Sequence, residues 1–256
     1  MTIIQTFLSG GENLISVDSA DFDGTNDYMT RGAGLTDAAN SKSFIVSLFF
    51  RLDGGDGALQ YLFGSTVTLG LNVVTFAVGR TSGNVIQVYG ENAAGAGILD
   101  IDSGANTYTA GATWHHLLCS CDMANSAGSF LYIDDTSVRN DVTFTDDTLD
   151  FTSGDWITGA NGAGGNKFNG CLAEVYFASG QYLDISQFLN RRKFATSGGR
   201  PVYIGTDGSL ATGTAPIVYH HLGNGEAVAD FATNRGTGGD FSITGTLETG
   251  STSPSD

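Results

Sequence analysis

Apolar and polar positions alternate along most of this chain, in short runs closed by Gly, Asn, Asp or Ser. A period of two gives each run one apolar face and predicts β-strands. SFIVSLFFRLD, residues 43–53, is the clearest run: β-branched and aromatic, and ended by the turn-forming DGGDG. LQYLFGS, VVTFAVGR and NVIQVYGEN follow, then TYTAGATWHHLLCSCDM, GSFLYIDDTSV, VTFTDD, LDFTSGDWITGAN and FNGCLAEVYFASG. Turn signals at roughly 8–12-residue spacing fit an all-β sandwich or jelly roll rather than alternating strands and helices.

One segment departs from this period. LDISQFLNRRKFATSGG, residues 183–199, offers Asp184 as an N-cap and repeats apolar residues at Ile185, Phe188 and Leu189. Arg191, Arg192 and Lys193 suit the negative pole of a helix, and Gly198-Gly199 stops it. The pattern predicts one short surface helix of two to three turns. The same three cations form the one basic cluster of the sequence. They are therefore an assembly-contact candidate for an acidic neighbour, alongside the plainer reading of a dipole complement on a solvated face. Residues 1–16 read as an N-terminal arm, 17–200 as the sandwich, and 201–256 as an extension whose strands (PIVYHHL, FSITGTL) pack back on it. The last residues, GSTSPSD, read as frayed or held in a contact.

Composition supports a folded, turn-rich domain: 37 of 256 residues are Gly, 3 are Pro, and 41% are hydrophobic. A chain of this length buries roughly 70–75% of its extended surface and needs no disulfide or metal to hold a core. The net charge of −16 is concentrated in residues 1–150, with 18 acids against 5 bases. Such a surface repels phosphate backbones, so nucleic acid is not expected as a partner. No apolar stretch approaches the ~20 residues that span a bilayer, so membrane insertion is not expected either. MTIIQTFLSGGENL lacks a basic n-region, and three cysteines make no disulfide framework. The expectation is synthesis in a reducing cytoplasm without classical export.

TWHHLLCSCD, residues 113–122, gathers two of four histidines and two of three cysteines. As a strand it places His115, Leu117, Cys119 and Cys121 on one face and His116, Leu118, Ser120 and Asp122 on the other. Ligands two apart on a flat strand diverge by about 6–7 Å, which disfavours zinc and a Cys119–Cys121 bond. Small buried thiols are the expectation. In each histidine pair, here and at His220-His221, one packed and one exposed ring are expected.

Four blocks in order, FDGTNDYM, FIVSLFFRL, WHHLLCSCDMANSAGSFLYIDD and WITGANGAGGNKFNGCLAEVYF, resemble the laminin-G/concanavalin A-like lectin and glucanase superfamily over about residues 17–190. The resemblance implies a concanavalin A-like jelly-roll β-sandwich. It makes Trp114 the entry to a core strand and puts Glu174 in a family position where Ala173 replaces the usual preceding aspartate. FNGCLAEVYFASGQYLDISQFLNRRKFATSGGRPVYIGTDGSLATGTAPIVY, with the terminal NRGTGGDFSITGTL, resembles the form of this domain in tailed-phage and prophage structural proteins. That implies a virion structural protein with other virion proteins and its own copies as partners.

Glucanases of this superfamily set paired carboxylates on one strand, one to attack or activate water and one to protonate the leaving group. The five glutamates here (Glu12, Glu91, Glu174, Glu226, Glu248) are scattered, and no G-x-S-x-G elbow or P-loop occurs. Glu174 is expected to accept hydrogen bonds from a neighbouring loop. The superfamily's rim Ca²⁺ sites imply candidates at Asp134-Asp135 and Asp146-Asp147, and in the loop with Asp155, Asn161 and Asn166; turn chemistry is the competing reading. For a glycan, Trp156 is the candidate aromatic platform, with Asn161 and Asn166 as polar partners; a core indole is the alternative. The expectation is a non-enzymatic protein on the surface of a tailed-phage virion, a tail-fibre/adsorption component or a capsid decoration, contacting host glycan. A free Ca²⁺-dependent lectin and a polysaccharide depolymerase are the alternatives.

Overall fold

The computed structural model describes residues 14–66, 74–152, 154–162 and 164–256. The N-terminal arm therefore lies outside the described residues except for 14–16, where Leu14 bridges to Val202. The chain runs through β1 (Ala20–Asp23), β2 (Tyr28–Thr30), β3 (Ser43–Leu52), β4 (Gln60–Thr66), β5 (Val74–Arg80), β6 (Ile86–Glu91), β7 (Gly97–Asp102) and β8 (Trp114–Asp122). It continues through β9 (Phe130–Ile133), β10 (Thr136–Ser137), β11 (Asn140–Phe144), β12 (Asp155–Thr158) and β13 (Asn169–Ser179). Helix α1 (Phe188–Arg191), β14 (Val218–His220), β15 (Ser242–Thr244) and β16 (Glu248–Thr249) complete it.

Two antiparallel sheets stack as a jelly-roll sandwich. The first has the order β10-β9-β8-β3-β13-β1-β16, with β14 also on β13; the second has the order β11-β7-β6-β5-β4-β12-β2-β15. Between them lies an aromatic core. Phe44, Phe76, Phe151, Phe177 and Trp156 meet with ring centroids 4.9 to 6.1 Å apart, in the edge-on and tilted geometries that aromatic quadrupoles favour. The extension contributes strands to both sheets: β14 on β13, β15 on β2 and β16 on β1.

The first sheet is covered on its outer face as well, which explains why β3 is buried along nearly its whole length. Ile45, Leu118, Tyr176 and Ala178 point outward and pack under Ile185, Phe194, Val202, Ile204 and Ala211 from the segment after β13. That segment is a cap on the sheet. Its helix is shorter than expected, one turn rather than two to three. Asp184 closes a local turn instead of capping the helix: its Oδ1 accepts from Ser186 N at 3.0 Å, and Gln187 N donates to its carbonyl at 3.2 Å. Beyond Arg192 the chain must deliver Phe194 and Ala195 to the sheet, and Ala195 then bridges to Pro201.

β13 changes partner along its length, from β1 at residues 169–172 to β14 at 175–177. A bulge against β3 falls between Ala173 and Tyr176, with Glu174 in the left-handed region at φ 51°. Its buried carboxylate accepts from the Tyr219 hydroxyl at 2.7 Å and bonds His221 Nδ1. Glu174 thus clamps the bulge to the neighbouring β14 segment, as expected, and desolvation with the adjacent carboxylate pushes the Tyr219 phenol far up. The terminal GSTSPSD is held in a contact within the chain: Val17 N donates to Ser255 Oγ at 3.0 Å, and Ser19 Oγ to the Thr252 carbonyl at 2.8 Å.

Candidate functional site

The outer face of the first sheet carries a cleft of about 430 Å³, where the cap stops short of covering β8 and β9. Its floor follows from strand alternation. On β8, Leu117, Cys119 and Cys121 join the inter-sheet core, so His116 and Leu118 point the other way, beside Tyr132 of β9. Trp114 opens β8 and forms one wall, half-buried, its Nε1 donating to Thr252 Oγ1 at 3.1 Å. The opposite wall is cap, from Arg191 to Arg200, and the terminal residues Ser253, Pro254 and Asp256 close one end.

Polar groups around the cleft are tied into the fold. The β9–β10 hairpin turns on Asp134 and Asp135, at φ 52° and 62°; two adjacent left-handed residues are the signature of a type I′ turn, which Asp tolerates. Asp134 Oδ1 accepts from His116 N at 2.9 Å and Oδ2 meets His115 Nδ1 at 2.6 Å. Asp135 bridges the guanidiniums of Arg191 and Arg192. Arg191 lies 4.5 Å from the Tyr132 ring centroid, and Arg192 lies 4.3 Å from that of Phe188. His116 stacks on Phe49, centroids 4.4 Å apart, and meets Ser47 Oγ at 2.9 Å through Nε2. Burial pushes this imidazole down to about 4, so the floor is uncharged near neutral pH.

Ser47 and His116 are not arranged as nucleophile and base. Ser47 is 2% exposed beneath the ring, and Asp134 bonds the His116 backbone amide rather than the ring. The cleft acids are also engaged internally, Asp256 accepting from Ser253 N at 2.8 Å. What the cleft offers is the Trp114 ring, a Tyr132 ring that carries Arg191 on one face, a neutral His116 and polar donors at its rim. That combination is suited to a ring that stacks on an aromatic face and hydrogen-bonds at its edge.

The candidate residues named from the sequence lie elsewhere. Trp156 is fully buried, its ring centroid 4.9 Å from that of Phe177, so its indole presents no face to a ligand. Asn161 is 2% exposed and its Oδ1 accepts from Gly165 N at 2.7 Å, tying its own loop. Asn166 is exposed but sits at a turn with φ 45°; with Trp156 in the core, the three do not form a platform. Trp114, read as core, is the tryptophan at the cleft. The cations divide: Arg191 and Arg192 side chains are 13% exposed and paired with Asp135, while Lys193 is exposed.

The acids proposed for Ca²⁺ are committed to other partners. Asp134 and Asp135 are the turn just described; Asp146 pairs with Lys42 at 2.7 Å. Asp147 accepts from Asn92 Nδ2 and Thr148 N, both at 2.7 Å, which holds its carboxyl below the usual range. Asp155 accepts from Thr30 Oγ1 and Gly32 N, both at 2.6 Å. The acidic concentration that the sequence reading passed over is a hollow lined by Asp21, Asp23, Asn26, Asp27 and Glu248, foreshadowed by the three aspartates of DFDGTND. Three of its groups, Asp23, Asp27 and Asn26, find partners within the chain. Asp23 Oδ1 accepts from Thr25 N at 2.7 Å and Asp27 Oδ1 from Thr246 N at 2.7 Å. The Asn26 amide, turned nitrogen-inward, reaches Asp23 at 3.0 Å and Asp27 at 3.3 Å.

The Cys119 and Cys121 sulfurs lie 3.6 Å apart, closer than the flat-strand spacing predicted, and both are free, buried thiols. Burial and the neighbouring thiol push Cys119 well up. Cys171 is beside Arg51 instead, at 3.3 Å, and is no third ligand for that pair. The expectation of one exposed ring in each histidine pair is also corrected. His115 is half-buried, and His221, 8% exposed, is bonded to Glu174.

A family model described as the concanavalin A-like lectin/glucanases superfamily matches residues 23–181, more than half of the chain. The chain belongs to this superfamily. No curated protein matches it. Among solved structures, a candidate carbohydrate-binding protein from Bacteroides ovatus is similar over 93% of this chain at 12% identity and a TM-score of 0.58. This superfamily member spans 60% of that protein's length. A heptameric SAP-like pentraxin from Limulus polyphemus is similar over 66% of this chain and 79% of its own, at 11% identity and TM-score 0.45. NanB sialidase from Streptococcus pneumoniae is similar over 67% of this chain and 28% of its own, at 17% identity and TM-score 0.49. Among the described residues no helix is long and apolar enough to cross a membrane.

Proposed function

We propose that this chain is a non-enzymatic carbohydrate-binding protein of the tailed-phage virion surface, and that it binds host glycan in the cleft beneath the cap. The observation that carries the binding reading is a cleft lined by the half-buried Trp114 beside a neutral His116, with donors from the cap at the rim. The superfamily fold and the B. ovatus neighbour support the same reading. The virion placement rests on the likeness of residues 168–219 and 234–247 to tailed-phage structural proteins. Exposed Phe188, Leu189 and Leu210, with Lys193, support a role for the cap in contacts with other virion proteins or further copies of the chain.

Glycan-array binding by the wild-type chain, lost in Trp114→Ala with the fold intact, tests the binding half. A Trp114→Ala variant that binds as the wild type does overturns it. Electron cryo-microscopy of particles tests the placement: density for the sandwich on the virion supports it, and full infectivity of particles lacking the protein's density overturns it.

A further inference from the structure

The cleft's charge is unlike that of the molecule around it. The chain carries −16, yet three of its eleven Lys and Arg residues, Arg191, Arg192 and Arg200, line the cleft from the cap wall. The carboxylates that share the cleft do not cancel them equally. Asp134 is held by His115 and the His116 amide, Asp256 by Ser253 N, and Asp135 by Arg191 and Arg192. Arg200 is left over: exposed, lining the cleft, and in no ion pair among the described residues.

Its attachment is firm although its head is free. Thr196 N donates to the Arg200 carbonyl at 2.8 Å, and Arg200 N donates to Thr196 Oγ1 at 3.0 Å. The intervening Ser197-Gly198-Gly199 turns with Gly199 at φ 78°. The closed turn fixes where the Arg200 backbone sits at the cleft, and the planar fork of its guanidinium matches a carboxylate in bidentate geometry. Nearby, Arg192 Nε is buried without a hydrogen-bond partner, so the cap wall retains unused donor capacity.

We infer that the saccharide bound in this cleft is acidic, a uronate or sialate-type sugar whose ring stacks on Trp114 and whose carboxylate is taken by Arg200. This rests on the cleft being the sugar site. An unpaired guanidinium in a cleft whose other arginines already have a carboxylate partner selects for charge on the ligand, because a neutral sugar leaves that guanidinium unpaired and gains nothing from it.

The test is an array of matched neutral, carboxylated and sulfated saccharides, probed with the wild type, Trp114→Ala and Arg200→Gln, each first shown by circular dichroism to be folded at the assay temperature. The inference expects Trp114-dependent binding on carboxylated spots, weakened about ten- to hundredfold by Arg200→Gln and by methyl esterification of the same sugars. Added salt weakens the acid form and not the ester. Trp114-dependent binding to neutral spots, or an Arg200→Gln variant with unchanged affinity, overturns the acidic assignment and leaves the sugar reading standing. Equal preference for sulfated spots overturns the carboxylate. Absence of any Trp114-dependent binding overturns both readings together.

Discussion

The two tryptophans occupy opposite settings. Trp156 lies between the sheets, fully buried among Phe63, Phe76 and Phe177. Trp114 lies on the outer side of the first sheet, half-buried, anchored by one hydrogen bond to Thr252. The difference is in what covers each face. The inner face is closed by another sheet, whose apolar residues fill space completely. The outer face is closed by an irregular cap, which follows its own turns and leaves about 430 Å³ uncovered. Close packing makes a core; incomplete packing by a polar, arginine-rich segment makes a site.

That contrast can be broken most forcefully at the tryptophans. Trp156→Ala leaves a cavity in the aromatic core and is expected to cost about 3–5 kcal/mol, read from denaturant midpoints. Trp114→Ala is expected to cost about 1–2.5 kcal/mol, since one hydrogen bond and a half-buried ring packed against the Phe49 cluster are lost, yet to remove glycan binding. Similar stability losses for the two would erase the distinction between core and cleft.

Acid is the next lever, and it acts on both faces. His220 faces inward against Phe231 and Phe241, and burial pushes it down to about 3; His116 floors the cleft and stands at about 4. Both titrate near 6.5 when unfolded, so between 6.5 and 4 the unfolded chain holds more protons. Stability therefore falls as pH is lowered through that window, by up to about 1.4 kcal/mol per pH unit for each ring. Urea titrations at several pH values read this slope. His220→Phe and His116→Gln should each reduce it, and an unchanged slope in both would count against neutral buried rings.

A smaller effect is expected where the cap is fastened. Asp135→Asn removes the shared partner of Arg191 and Arg192 and should cost about 1–2 kcal/mol, held to the low end by solvent at the partly exposed carboxylate. Combining it with Arg192→Met in a mutant cycle should give less than the sum of the two losses. Additivity would mean that the ion pair does not fasten the cap. The smallest effect is that of chelation. EDTA should leave glycan binding unchanged, because the cleft's carboxylates already serve His115, Arg191, Arg192 and Ser253. Loss of binding in EDTA would favour a Ca²⁺-dependent lectin.

Much of the sandwich was legible from period alone. SFIVSLFFRL and WHHLLCSCD became β3 and β8 with the faces that alternation assigns. Alternation does not say which face is the core when both are covered, and β3 and β8 are covered on both. Alternation therefore leaves Trp114 open to a core reading, and for Trp156 it leaves both the platform and the core indole open, of which the core indole holds. The adjacent aspartates at 134–135 looked like oxygen ligands, but their position between FLYI and TS already carried the signal of a tight hairpin. The helix was overestimated because Asp184 can close a turn as readily as it can cap a helix. The cleft itself is made by residues far apart in the chain, Trp114, Tyr132, Arg200 and Pro254, and no local pattern joins them.

The most direct test uses the fact that the chain has two tryptophans. In nitrogen-15-labelled protein each indole N–H gives its own resonance, and a bound glycan perturbs the one it touches. Titration with the best array ligand should shift the Trp114 indole signal progressively to saturation and leave the Trp156 signal in place. A saturating glycan that moves neither signal, or moves only that of Trp156, would contradict the assignment of the cleft as the binding site.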